Sequence, residues 1–98
     1  MGKLDWGSKL SRFFMGSITQ SEAVTHIKGL LKERGHDMVP RLVSSNRWVL
    51  FEYQRGQLGI DPTSGVWIRT SESSGWRCVA SPCTVSGAIQ AVELLITQ

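Results

Sequence analysis

The segment from residue 39 to residue 80 most constrains the fold, because it consists of short strand-forming runs separated by turn residues. Residues 47–53, 57–60, 66–70 and 76–79 are rich in β-branched and aromatic side chains, and Gly, Ser, Asn or Pro bound each run. A first run over residues 38–43 contains Pro40, which lacks the N–H that an inner strand donates and therefore indicates an edge strand. The pattern predicts an antiparallel meander of about five strands.

One amphipathic helix is predicted before the meander in the sequence and another after it. Thr19 and Glu22 have the spacing of a capping box, and Thr84 can cap the second helix. Gly29 lies inside the first helix, where it costs up to about 1 kcal/mol relative to Ala, and a close crossing of helix and sheet is the expected reason. The sequence therefore predicts a two-layer α+β domain over residues 19–98, in the order α-β-β-β-β-β-α, with the N-terminal and C-terminal helices packed on one face.

The turn at residues 61–65 sets the register of the sheet. Its sequence, Asp-Pro-Thr-Ser-Gly, favours a tight turn that pairs Ile60 with Val66. Trp67 and Arg69 then lie on the face opposite the apolar side chains, whereas a slip by one residue would exchange the two faces. The residues expected in the core are Val24, Ile27, Leu31, Val49, Phe51, Leu58, Ile60, Val66, Ile68, Ile89 and Val92.

The face that carries Trp67 and Arg69 is the main candidate for binding. Side chains two apart on a strand share a face, so neighbouring strands add one residue from each of two pairs. The candidates from these pairs are Arg47 or Trp48, and Trp76 or Arg77. Clustered Trp and Arg residues suit a protein hot spot or a stacking surface for bases. The alternative is that a helix or the N-terminal segment covers Trp67 and makes it part of the core.

The first 18 residues form a separate candidate, an amphipathic arm. On a helix its apolar side chains would share one face, and they are Trp6, Leu10, Phe13 and Phe14. So short a helix needs a surface to lie on, which could be its own sheet, a membrane surface or a groove on a partner. Gly7 and Gly16 interrupt the segment, so the arm is expected to be dispensable for folding.

Catalytic and metal-binding patterns are lacking in the sequence. His26 and His36 have no second His at ligand spacing, and Cys78 and Cys83 do not make a disulfide framework. Phosphate-binding loops and nucleophile elbows are absent as well. We expect no metal and no cofactor, and the sequence has neither a signal peptide nor a membrane span, which predicts a reduced, cytoplasmic protein.

Three classes of function are consistent with these observations. The leading one is a small non-enzymatic protein-interaction module. The second is a nucleic-acid-binding protein, although a net charge of +3 over 98 residues is low for binding a phosphate backbone. The third is a peripheral membrane or docking protein anchored by the arm. The narrow polar side of the last helix also suggests a homodimer formed through Leu94 or through an edge of the sheet.

Overall fold

The computed structural model describes residues 16–70 and 75–97 of the chain. Its elements in chain order are α1 (Gln20–Glu33), β1 (Arg41–Leu42), β2 (Val49–Tyr53), β3 (Gly56–Ile60), β4 (Val66–Thr70), β5 (Arg77–Ala80) and α2 (Val85–Ile96). The predicted α+β architecture is confirmed: one helix precedes a five-stranded meander in the sequence, and another follows it. The arm residues Trp6, Leu10, Phe13 and Phe14 lie outside the described residues.

Both helices begin at the predicted caps. The Thr19 hydroxyl accepts a hydrogen bond from the Glu22 N–H at 3.2 Å, and the Glu22 carboxylate accepts one from the Thr19 N–H at 2.9 Å. The Thr84 hydroxyl accepts a hydrogen bond from the Gly87 N–H at 3.0 Å. These bonds satisfy backbone donors that have no partner within a helix, and they fix where each helix starts.

The strands form one antiparallel sheet in the order β1-β2-β3-β4-β5. Ile60 pairs with Val66, so the register predicted from the turn is confirmed. Strand β1 lies at the edge, as Pro40 indicates, but it is shorter than the predicted run and contains only Arg41 and Leu42. Every second residue of the inner strands therefore points toward the helices.

The core fills the space between one face of the sheet and the two helices. Strand residues and helix residues are fully buried together there: Phe51, Leu58, Ile60, Val66, Ile27, Leu31, Val92 and Leu95. Val24 and Val49 are partly buried against the same cluster. The helices thus cover one face of the sheet, and the residues that alternate with the core residues are left on the other face.

Two expectations about the helices are wrong. Ile89 is 43% exposed, because α2 turns its small residues Gly87, Ala88 and Ala91 inward instead. A Cβ added at Gly87 would lie only 2.7 Å from the Cβ of Ala80, so this close approach depends on a glycine. Gly29 marks no close crossing, since it is exposed and a Cβ added there would meet nothing within 4 Å.

Replacing Phe51 tests the assignment of the core face. Phe51 is 0% exposed, so Phe51→Ala should lower the free energy of unfolding by about 3–5 kcal/mol in a denaturant melt. Ile89→Ala is the control, because substitutions at exposed positions usually change stability by about 0.5 kcal/mol or less. A loss below about 1 kcal/mol for Phe51→Ala would contradict the assignment.

Candidate functional site

The face of the sheet opposite the helices carries three of the four Trp residues of the chain. The pairing of the strands places Leu50, Gly59 and Trp67 in one row across β2, β3 and β4. In the next row Gln57 is paired with Arg69. We call the surface made of Trp48, Leu50, Gly59, Trp67, Arg69 and Trp76 the Trp face.

The three indole rings are in mutual contact through Trp48. The ring centroid of Trp48 lies 6.0 Å from that of Trp67 and 5.4 Å from that of Trp76. The Arg69 guanidinium carbon lies 4.8 Å from the centroid of the Trp76 ring, which is a cation–π distance. All three Trp residues are partly exposed, and Arg69 is exposed. The Trp face therefore combines apolar ring surface with a cation, as binding hot spots commonly do.

Gly59 makes room for Trp48 at the centre of the Trp face. A Cβ at this position would lie 2.7 Å from Cε3 of Trp48 and 3.1 Å from Cδ2 of Leu50. Real side chains do not approach so closely, so any larger residue would force the Trp48 ring away from the sheet. A glycine inside a strand often marks such a close approach.

The Asp61 carboxylate holds Trp67 through a hydrogen bond to its indole N–H. One carboxylate oxygen accepts hydrogen bonds from Thr63 N–H at 2.9 Å, Thr63 O–H at 2.7 Å and Gly65 N–H at 2.9 Å. The other oxygen accepts one from the Trp67 indole N–H at 2.9 Å. Desolvation raises the pKa of Asp61, but the bonds from Trp67, Thr63 and Gly65 together outweigh it and leave the pKa below its usual value. One side chain thus holds both the turn and an indole ring.

Four of the six predicted binding residues come together on the Trp face: Trp48, Trp67, Arg69 and Trp76. Arg47 lies in the preceding turn with a φ of 63°, and its carbonyl accepts a hydrogen bond from the Gln20 side chain at 2.9 Å. Arg77 pairs with Ile68, whose side chain is in the core, so it occupies the row that faces the helix side of the sheet. Both choices that the sequence left open are therefore decided in favour of Trp.

Three further residues of the site were not among the predicted binding residues. Asp61, Gly59 and Leu50 complete the Trp face or hold it in place. The alternation along β2 and β3 already placed Leu50 and Gly59 on the same face as Trp67, so a fixed register would have identified them. The bond from Trp67 to Asp61 depends on the direction of side chains around the turn, for which the sequence carries no signal.

The described residues outside the Trp face show little chemistry. Neither cysteine forms a disulfide: Cys78 is exposed beside Trp67, and Cys83 is buried. Burial raises the pKa of the Cys83 thiol to about 11, so it stays protonated and unreactive at neutral pH. Within residues 16–70 and 75–97, no group of three or more His, Cys, Asp or Glu side chains could hold a metal ion. No helix among these residues is long and apolar enough to cross a membrane.

The surfaces suggested for a homodimer differ in character. Leu94 is partly buried against the core of its own chain. Near the β1 edge, however, Val39 is 85% exposed and Leu42 is 62% exposed. The edge of the sheet is therefore the more apolar of the two surfaces, and dimerisation stays a prediction.

Comparison with known proteins adds no relative. No protein-family model matches the chain, and no curated protein or solved structure matches it significantly. The function has to be argued from the geometry of the chain itself.

Gly59→Ala tests how Trp48 is held. The new methyl group would displace the Trp48 ring, so the exciton coupling between the indoles in the far-ultraviolet circular dichroism spectrum should weaken. The fold should persist, as judged from the dispersion of the amide spectrum. Gly29→Ala is a matched control with open space around the new methyl group, and it should leave the coupling unchanged. Full coupling in Gly59→Ala would show that the ring does not depend on this glycine.

Asp61→Asn tests the link between the turn and Trp67. An amide has one acceptor oxygen, so at least one donor of the carboxylate loses its partner, at a cost of about 1–3 kcal/mol in the free energy of unfolding. In the wild type the lowered pKa means that Asp61 stabilises the fold above its unfolded-state pKa and loses this contribution as the pH falls through the folded pKa. The Trp67 indole N–H shift should titrate with Asp61, at a midpoint below the usual value of about 3.9. A midpoint above that value would contradict the hydrogen-bonded carboxylate.

Proposed function

We propose that the chain is a small non-enzymatic protein-interaction module that binds a partner protein on the Trp face. The observation that carries this proposal is the contact of Trp48 with both Trp67 and Trp76, at 6.0 and 5.4 Å, on the side of the sheet opposite the helices. Trp and Arg are the residues most enriched at the energetic centres of protein interfaces. None of the three Trp side chains belongs to the hydrophobic core cluster on the helix side of the sheet.

The rings are also fixed before any partner arrives. Asp61 holds the indole N–H of Trp67, Gly59 seats Trp48, and Arg69 lies against Trp76. A side chain that is already ordered loses little rotamer entropy when a partner covers it. This arrangement supports a binding surface, because a purely structural role would not require partly exposed rings.

The charges near the Trp face favour a protein over a nucleic acid. Arg41 is paired with Glu52 at 3.3 Å, and the Asp61 carboxylate accepts a hydrogen bond from the indole N–H of Trp67. Arg77, which was a candidate for phosphate contacts, lies on the helix side of the sheet. Arg69 is then the cation that contacts a ring, and with Arg41 already paired to Glu52 few cations near the Trp face are available to a phosphate chain.

Nucleic acid is the second candidate, and the Arg69–Trp76 contact is the observation that favours it. Bases stack on exposed aromatic rings and on guanidinium planes. A fluorescence titration of the wild-type chain with oligothymidylate at low salt, where such binding is strongest, separates the two candidates. Quenching that weakens steeply with added salt would support the nucleic-acid function.

The protein-partner function is tested by affinity capture from an extract of the source cells. The wild-type chain and the Gly29→Ala control should retain the same proteins, and Trp67→Ala should lose them. Against a purified partner, Trp67→Ala should weaken binding about 30-fold or more, which corresponds to a hot-spot contribution of about 2 kcal/mol. Equal capture by the wild-type and Trp67→Ala chains would contradict the proposal.

The two thiols give an independent readout of where the partner lies. Cys78 is exposed and pairs with Trp67 in the sheet, whereas Cys83 is buried and serves as an internal reference. Addition of the purified partner should slow the alkylation of Cys78 and leave Cys83 unreactive. An unchanged rate at Cys78 would place the partner elsewhere on the molecule.

A further inference from the structure

A polar cleft adjoins the Trp face where β2, β3 and β4 approach their shared end. It has a volume of about 260 Å³, and the residues that line it include Glu52, Arg55, Gln57 and Arg69. Arg69 belongs both to this cleft and to the Trp face, since its guanidinium carbon lies 4.8 Å from the centroid of the Trp76 ring. A ligand that covers the indoles can therefore reach the cleft through Arg69.

The charges in the cleft are unbalanced. Its carboxylate, Glu52, is already paired with Arg41 at 3.3 Å. Arg69 donates to the side-chain oxygen of Gln57, which is a neutral acceptor. Among the described residues, neither Arg55 nor Arg69 has a carboxylate partner. Within the part of the chain that the structure describes, the cleft thus presents two exposed guanidinium groups without an ion-pair partner.

Resting on the proposed function, we propose that the partner contributes an extended peptide segment in which an acidic residue accompanies apolar side chains. Its carboxylate accepts hydrogen bonds from Arg55 and Arg69, and its apolar side chains lie on Trp48 and Trp67. A guanidinium group has five N–H donors in a planar fork, so Arg69 can bind a carboxylate and still donate to Gln57.

The spacing of the two contacts specifies the peptide further. Side chains at alternate positions of an extended chain point the same way and lie about 6–7 Å apart. The ring centroids of Trp48 and Trp76 are 5.4 Å apart, and the guanidinium carbon of Arg69 is 4.8 Å from the ring centroid of Trp76. The acidic residue and the apolar residues are therefore expected at positions two or four apart in the peptide. A single carboxylate fits this cleft better than a nucleic acid, because two guanidinium groups offer few contacts to a continuous run of phosphates.

A phage-displayed library of random peptides, selected on the wild-type chain of 98 residues, tests the inference. The enriched peptides should carry Asp or Glu two or four positions from an aromatic, aliphatic or proline residue. In synthetic versions of these peptides, changing the acid to its amide should weaken binding about tenfold to hundredfold, the usual effect of losing a charge-assisted hydrogen bond.

Variants of the protein separate the cleft from the Trp face. Arg55→Gln changes a cation in the turn between β2 and β3, and it should weaken acidic peptides about tenfold or more while leaving their amide versions unaffected. Arg77→Gln removes a cation from the other side of the sheet and should change neither affinity. Trp67→Ala should weaken the acidic peptides and the amide versions alike.

The possible outcomes distinguish the inference from the function on which it rests. Peptides that need Trp67 but show no preference for an acid, or that bind Arg55→Gln as tightly as the wild type, would overturn the carboxylate site and leave the proposed function standing. Selection of no peptide that depends on Trp67 would count against the Trp face as a peptide-binding surface. Displacement of the selected peptides by oligothymidylate at low concentration would favour a nucleic-acid ligand and overturn the inference.

Discussion

The turn between β3 and β4 is the constraint on which the rest of the structure depends. The Asp61 carboxylate accepts hydrogen bonds from the N–H and O–H groups of Thr63 and from the N–H of Gly65. The turn therefore closes with Ile60 opposite Val66. That register sends the apolar residues of both strands to the helices. The register also places Trp67 on the opposite face, where the Asp61 carboxylate accepts a hydrogen bond from the indole N–H of Trp67. One side chain therefore links the formation of the core to the arrangement of the Trp face.

Much of the fold could be predicted because local patterns and the global arrangement agree. Caps, turn residues and strand periodicity all indicated the same order of elements, and Pro40 indicated the edge. The rotation of α2 could not be predicted in the same way. Its large apolar residues suggested a stripe containing Ile89, whereas the small residues around Gly87 set the closest approach to the sheet. Contact distance between elements is a tertiary property, and periodicity does not reveal it.

The candidate site, like the fold, could be predicted only in part from the sequence. Alternation was sufficient to place Trp67 and Arg69 together, since they lie on one strand. The choice between Arg47 and Trp48 depended on the pairing of β2 with β3, which places Trp48, two residues before Leu50, on the face of Trp67. The choice between Trp76 and Arg77 depended on pairing with β5, which contains an irregularity near Val66 and Trp67. Both choices depended on how neighbouring strands pair, which the sequence of a single strand does not encode.

The packing of the indoles on one another has a thermodynamic consequence. Trp48 shields part of Trp67 and Trp76, so the water-exposed ring surface is smaller than three separate rings would present. A partner that covers the remainder removes apolar surface from water with little reordering of side chains. Association of this kind carries a negative change in heat capacity, and its strength then varies with temperature in the manner of hydrophobic burial. The space that Gly59 leaves for Trp48 would thus influence how the proposed binding responds to temperature as well as where it occurs.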